Sequence, residues 1–235
     1  MKKRILLTLL LIITLLTSCV VNESLSCTTG YSGSSKTNIT VDEFFLSVLE
    51  DFSSFNSGSG YSIMDDAMVG FSNKVNSSSS SSNVSLLSDG KGEKYVLSFD
   101  YSSLSSLLKD LNEGESNTLL SLTSSSISFN LSMDNYSELK SVIPFLSDKN
   151  FEVYGPEYSN GMSKDEYMDM ISFLLGPDSP EALSDSLVTI EITTPGTITE
   201  IKGAMKNGPK KAVYSFPIID FLLLNEPLSF SIKWK

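Results

Sequence analysis

The chain has 235 residues, a formal net charge of −11 at neutral pH, two cysteines and no histidine. The acidic balance argues against nucleic acid, whose recognition needs a basic face, and against broad electrostatic adhesion to anionic lipid. Without histidine the chain lacks the commonest general base and metal ligand, and with them a Ser-His-Asp triad or a Cys-His nucleophile.

Lys2, Lys3 and Arg4 precede an apolar run from Ile5 to Leu16 that is broken only by Thr8 and Thr14. The run is shorter than the ~20 residues that span a bilayer core. A basic start, a short apolar stretch and small residues describe a secretory signal peptide over residues 1–18. Leu16-Thr17-Ser18-Cys19 resembles the lipobox of bacterial lipoprotein precursors, in which Leu and two small residues precede Cys. That resemblance implies a diacylglyceryl thioether on Cys19, which becomes the acylated mature N-terminus. It places the protein at the cell membrane or outer membrane, facing the periplasm or the exterior. Each buried CH₂ contributes ~0.8 kcal/mol, so two or three chains hold far more firmly than one. Loss of residues 1–18, which carry three basic residues and no acidic one, takes the formal charge from −11 to −14. Cys27 then has no partner in the chain, and burial as a small hydrophobe is expected over an exposed thiol. Without a disulfide framework, residues 19–235 must be held by their own core, as a single exposed domain.

In that domain, residues 24–40 read as two short strands around a Gly30–Gly33 turn. Val41 to Phe55 is an amphipathic helix, with Val41, Phe44, Phe45, Val48, Leu49 and Phe52 on one face and Thr40 with Glu43 as a capping box. Ile63 to Phe71 reads as another short helix. Residues 76–83, NSSSSSSN, have nothing to bury, and their hydroxyls compete for backbone hydrogen bonds, so they read as a flexible loop. VSLL and YVLSF flank DGKGE as a hairpin, and that turn lacks the alternating acids of a calcium loop. Leu104, Leu107, Leu108 and Leu111 mark a short helix. Residues 119–133 read as a strand with Ile127, Phe129, Leu131 and Met133 on one face.

Tyr136, Leu139, Val142 and Ile143 form a helix face ending at Pro144. Ser163-Lys-Asp-Glu166 is a second capping box, opening a helix with Tyr167, Met170, Ile171, Leu174 and Leu175 inward and Gly176-Pro177 as its stop. Residues 187–193 form a strand, Pro195-Gly196 a turn, and TITEIK and AVYSF two further strands. PIIDFLLL makes a short helical turn, and Leu228, Phe230, Ile232 and Trp234 alternate along a last strand. Residues 187–234 resemble the end of the LppM-type bacterial lipoprotein domain: strand, Pro-Gly turn, strand, Asn/Gly-rich loop, strand, Leu-rich segment and a final strand ending in Trp. The resemblance implies an envelope lipoprotein with an exposed α+β domain, and its motifs are structural rather than catalytic.

The expected fold is α+β, an antiparallel sheet holding residues 187–193 and 228–234 with the helices at 41–55 and 164–175 packed on one face. Ile192, Phe230 and Trp234 should be buried together. Asp165 and Asp169 share a helix face, but first-turn acids favour the helix dipole, whereas glycosidase carboxylates face each other across a cleft. The inventory therefore favours recognition over catalysis, with no cofactor and no metal. The candidate contacts are the aromatics Phe151, Tyr154 and Tyr158 of FEVYGPEYSNG and the lysines Lys206, Lys210 and Lys211 of the NGPKK turn, which Lys202 joins. A lipid, a glycan or an envelope protein is the expected partner. A surface-display lipoprotein without a small ligand is the alternative, and an acid-dependent hydrolase a third.

Overall fold

The computed structural model describes residues 19–29, 31–42, 45–46, 63–147 and 149–235. The signal peptide expected over residues 1–18 and most of the helix expected over 41–55 lie outside the described residues; of that helix Phe45 and Leu46 are helical, whereas Val41 and Asp42 are not, and Thr40, expected to cap it, ends a strand.

Strands β1 (Val20–Cys27) and β2 (Gly33–Thr40) pair antiparallel, from Val20 opposite Thr40 to Cys27 opposite Gly33. Helix α1 (Ile63–Ser77) leads to a hairpin of β3 (Ser81–Ser88) and β4 (Lys94–Tyr101), and β4 joins the edge of β2. On its other side β1 takes β7 (Leu187–Thr193) in parallel. Beyond β7 come β10 (Lys211–Pro217) and the two-residue β9 (Met205–Lys206), which completes a seven-stranded sheet ordered β3-β4-β2-β1-β7-β10-β9. A second, four-stranded sheet runs β5 (Leu120–Leu122), β6 (Ser126–Leu131), β11 (Leu228–Trp234), β8 (Ile198–Lys202), all antiparallel.

Strand alternation assigns the faces of the large sheet. Val21, Glu23, Leu25 and Cys27 of β1 lie on one face, and the register adds Ile39, Thr37 and Ser35 of β2 and Val188, Ile190 and Ile192 of β7. The opposite face carries Asn22, Ser24, Lys36, Asn38, Thr189 and Glu191, the polar side of a sheet with one solvated face. The inner face packs on the second sheet, on α1 and on α2 (Leu104–Leu111), where Leu25, Val75, Leu107, Ile127 and Ile232 share one core. The Tyr214 ring links the sheets, its centroid 5.3 Å from Phe230 and 6.5 Å from Phe129.

Two corrections concern the sheets. Residues 187–193 and 228–234 belong to different sheets, and the larger sheet is mixed because β1 and β7 run parallel. Ile192, Phe230 and Trp234 nevertheless meet in the same core, across the two layers. Alternation reports which face of a strand is buried, but it is silent on which strand lies alongside. The strand expected over 119–133 is a hairpin: the Thr123 hydroxyl accepts from the amides of Ser125 (3.3 Å) and Ser126 (3.0 Å) and folds the chain back.

The helices also differ in placement. Helices α3 (Tyr136–Val142), α4 (Lys149–Glu152), α5 (Pro156–Ser159), α6 (Lys164–Leu175), α7 (Ser179–Asp185) and α8 (Ile218–Leu223) complete the fold. Helix α6 does not cover a sheet. Its Tyr167 and Ile171 are buried against Leu183 of α7 and Ile219 and Leu223 of α8, a helical lobe with a core of its own. The capping box is present, with the Ser163 hydroxyl accepting from the Glu166 amide and the Glu166 carboxylate accepting from the Ser163 amide.

The run at 76–83 is ordered rather than a flexible loop. Helix α1 extends through Ser77, past Gly70, and β3 begins at Ser81, leaving a three-residue turn. The hydroxyls supply the missing partners. Ser78 Oγ donates to Asp110 Oδ2 at 2.6 Å and accepts from the Ser80 amide at 3.1 Å, and Ser81 Oγ donates to the Val75 carbonyl at 2.5 Å. Ser78 and Ser80 are buried, while Ser79 between them is exposed. Ser78→Ala should therefore lower stability by about 1–2 kcal/mol, because a buried amide and a carboxylate lose their partner. Ser79→Ala should leave the midpoint of urea unfolding in place. Equal midpoints for both variants would show that the turn is not held by these bonds.

Candidate functional site

Cys19 lies directly before β1, with no residue between it and the sheet. Its carbonyl accepts from the Leu187 amide at 3.1 Å, and its Sγ accepts from the Asp42 amide at 3.3 Å. The side chain is half-buried beside Val41, Ile39 and Phe45. Burial pushes the thiol up to about 11, with the neighbouring Asp42 charge adding to the effect and hydrogen bonds from the Asp42 amide and Ser186 opposing it. In the folded domain Cys19 is thus a protonated thiol and a poor nucleophile. Cys27 is buried, its thiol held up by the same desolvation, with the Tyr101 hydroxyl 3.8 Å away.

The aromatics of FEVYGPEYSNG separate. The segment is not an open loop but two single-turn helices, α4 and α5, and Gly155 packs under the Tyr136 hydroxyl. Tyr154 packs on the lobe core, and its carbonyl accepts from the Tyr167 hydroxyl at 2.7 Å. Phe151 is half-buried. Tyr158 alone of the three is open, at 62 % exposure. The lysines of the NGPKK turn do not converge on a ligand position. Lys206 Nζ donates to the Ile198 carbonyl (3.0 Å), Lys210 Nζ to the Pro195 carbonyl (2.8 Å), and Lys211 pairs with Glu191 at 2.7 Å. Lys202 pairs with Glu200 at 3.6 Å. Lys206, Lys210 and Lys211 each reach a neighbouring strand or turn, whereas Lys202 pairs within its own strand β8. Asp165 and Asp169 are exposed on α6, and the hydrogen bonds from Ser163 hold the Glu166 carboxyl below its usual range.

The folded domain of the LppM protein of Mycobacterium tuberculosis, solved by NMR, is similar to this chain over 93 % of its length and 90 % of that domain, at 11 % identity and a TM-score of 0.38. No family model and no curated protein matches the sequence.

Two features escaped the sequence reading. One is the outer side of α6. Phe173 is 88 % exposed and Leu174 51 % exposed, so Leu174 is not on the buried face to which its spacing assigns it. The other is Glu23, a carboxylate on the inner, apolar face of the large sheet. Ser35 Oγ donates to its Oε1 at 2.7 Å and Thr37 Oγ1 to its Oε2 at 2.5 Å. Burial raises its carboxyl above the ordinary range, and the two hydroxyl donors pull it back in part. The signal was present in VVNESLSC, where Glu23 falls in phase with Val21, Leu25 and Cys27. Starting the first strand at Ser24 concealed it.

Proposed function

We propose that the protein is a lipid-tethered, non-enzymatic recognition domain of a bacterial cell envelope, with Cys19 as its acylated anchor and the helical lobe as its apolar contact. The anchor rests on the lipobox, and the contact on one observation: Tyr158, Phe173 and Leu174 are open to solvent on a lobe whose own core is already filled. Among the described residues no helix is long and apolar enough to cross a membrane. The partner is a lipid surface. With no spacer between Cys19 and β1, an acyl anchor would hold the domain against the headgroups. The lobe adjoins that end of the sheet, because α7 runs into Ser186, whose carbonyl accepts from Ile218, and Leu187 is bonded to Cys19. Fully burying one Leu or Phe contributes about 1.5–3 kcal/mol, enough for the patch to orient a tethered domain without anchoring it alone. The buried, protonated thiol favours acylation before β1 docks against β7.

Two variants test the reading. Cys19→Ser should remove the lipid mass and leave unprocessed precursor; an unmodified Cys19 in membrane-extracted mature protein would defeat the anchor. A Tyr158→Ser, Phe173→Ser double variant should keep its stability within about 0.5 kcal/mol, as exposed positions do. Its residual binding to phosphatidylcholine vesicles in the Cys19→Ser background should fall several-fold. Unchanged binding would remove the lobe from the interface.

A further inference from the structure

Charge is unevenly placed along this chain. Its 17 basic residues less Lys2, Lys3 and Arg4 leave fourteen, all lysines, and six of those fall in residues 202–211 and 233–235. Of the 28 acidic residues, Glu200 alone lies within residues 195–211 and 228–235. The two segments are brought together because β8 pairs antiparallel with β11 and the Lys235 amide donates to the Thr197 carbonyl at 3.1 Å. Five of the six lysines meet along Pro195–Glu200. Lys210 Nζ donates to the Pro195 carbonyl, Lys235 pairs through its backbone with Thr197, and Lys206 Nζ donates to the Ile198 carbonyl. Lys202 and Lys233 lie against the two oxygens of Glu200. A segment of that length spans at most about 17 Å, so the five form one ridge.

Glu200 offsets one of these five charges. A carbonyl fixes an ammonium without neutralising it, and no carboxylate among the described residues is within ion-pair distance of Lys206, Lys210 or Lys235. All three residues are exposed, and an ammonium has three donors, so Lys206 and Lys210 each keep two. Beyond residue 18 the chain has no arginine, and with it no fork for holding one anion bidentately. Residues 195–211 hold no aromatic side chain on which a base could stack. The ridge also lies at the end of the large sheet opposite Cys19, since Ser26 is level with Thr193 and Thr193 with Lys211. The rise from Cys19 to Ser26 is about 23 Å at 3.3 Å per residue. The Debye length at physiological salt is about 8 Å, so headgroup charge at the anchored end is screened from the ridge.

We propose that Lys206, Lys210 and Lys235, flanked by Lys202 and Lys233, bind a linear acidic polysaccharide on the side of the domain turned away from the membrane. The outward direction rests on the anchor and lobe reading above; the ridge itself does not. Lysines spread along one segment do not enclose a single anion, but the repeating carboxylates or sulfates of such a chain meet successive ammoniums. Hydrated point charges without stacking or bidentate partners read charge spacing rather than the shape of one group. Binding of this kind releases counterions, and with three unpaired lysines the affinity should fall on the order of ten-fold between 50 and 200 mM salt.

The test uses the full-length protein held in phosphatidylcholine nanodiscs, with heparin, uncharged dextran and a thymidine oligonucleotide as probes. Wild type should bind heparin with that salt dependence and leave dextran unbound. Replacing Lys206, Lys210 and Lys235 together by Gln should weaken heparin binding at least ten-fold. Replacing Lys91, Lys94 and Lys109 by Gln removes the same charge elsewhere and should change it less than two-fold. Equal losses in the two triple variants would overturn the site, and an oligonucleotide bound as tightly as heparin would overturn the choice of a polysaccharide. If the first variant did not fold, wild-type amide resonances would decide. Heparin should shift residues 195–211 and 235 and leave residues 89–94 in place, and the reverse pattern would remove the ridge. Exchanging phosphatidylcholine for phosphatidylglycerol should leave heparin affinity within two-fold; competition from the anionic disc would place the ridge against the bilayer and overturn the proposal. Loss of vesicle attachment in the lobe variants bears only on the helical lobe, so the two readings fail separately.

Discussion

Trp234→Ala is expected to lower the free energy of unfolding by about 3–5 kcal/mol, the usual cost of removing a large buried aromatic from a core. Trp234 is 6 % exposed and belongs to the core shared by both sheets. Its indole Nε1 donates to the Ser124 carbonyl at 3.1 Å, and its backbone amide donates to Ser125, so the residue also ties β11 to the turn of the β5–β6 hairpin. The ring leaves no room at Gly196, where an added Cβ would lie 3.0 Å from its Cδ1 and 2.3 Å from the Lys235 carbonyl. Urea unfolding followed by circular dichroism checks the size of the effect, since the variant loses the only tryptophan. Trp234→Phe should cost less, because it keeps much of the apolar volume and loses the Ser124 bond. An unchanged midpoint for Trp234→Ala would mean that the two sheets do not pack through this ring.

The second large effect is expected at Gly33. An added Cβ there would fall 1.8 Å from the Ser26 carbonyl oxygen and 2.4 Å from the Tyr101 hydroxyl. The glycine lets the Tyr101 phenol pass over β2 and donate to that same carbonyl at 2.8 Å. Gly33→Ala must push the phenol aside or spread β1 from β2, and overpacking of this kind costs about 1–3 kcal/mol, with about 1 kcal/mol more for the displaced hydrogen bond. Combining Gly33→Ala with Tyr101→Phe should recover part of the loss, since the hydroxyl is gone but the Ser26 carbonyl remains. A Gly33→Ala variant as stable as wild type would show that the close approach does not exist.

Much of the architecture was legible because it is local. Period-2 patterns placed β4, β7 and β11, the Ser163–Glu166 box opened α6, and Leu104, Leu107 and Leu111 are buried on α2 as their spacing requires. The serine run was misread because composition alone cannot show that Asp110, thirty-two residues away, would accept a hydroxyl and order the turn. Phe173 and Leu174 show the same limit. Helical spacing orders positions around an axis, but how far round the neighbouring helices reach decides which are covered. Tyr154 and Tyr158, four residues apart and chemically alike, ended on opposite sides of that boundary.

The amino-acid sequence by itself determined the lipobox-like pattern at Leu16–Cys19, the acidic charge, the lack of imidazole chemistry and the type of most elements, since these depend on residue identity or on contacts within one turn or one strand. The tertiary structure alone decided which strands are neighbours, that β1 and β7 run parallel, and that Ile192 and Trp234 meet from separate sheets. It also decided that Glu23 faces inward. A side chain's own strand fixes which of two sides it takes, but only packing against a second layer makes one of those sides the interior.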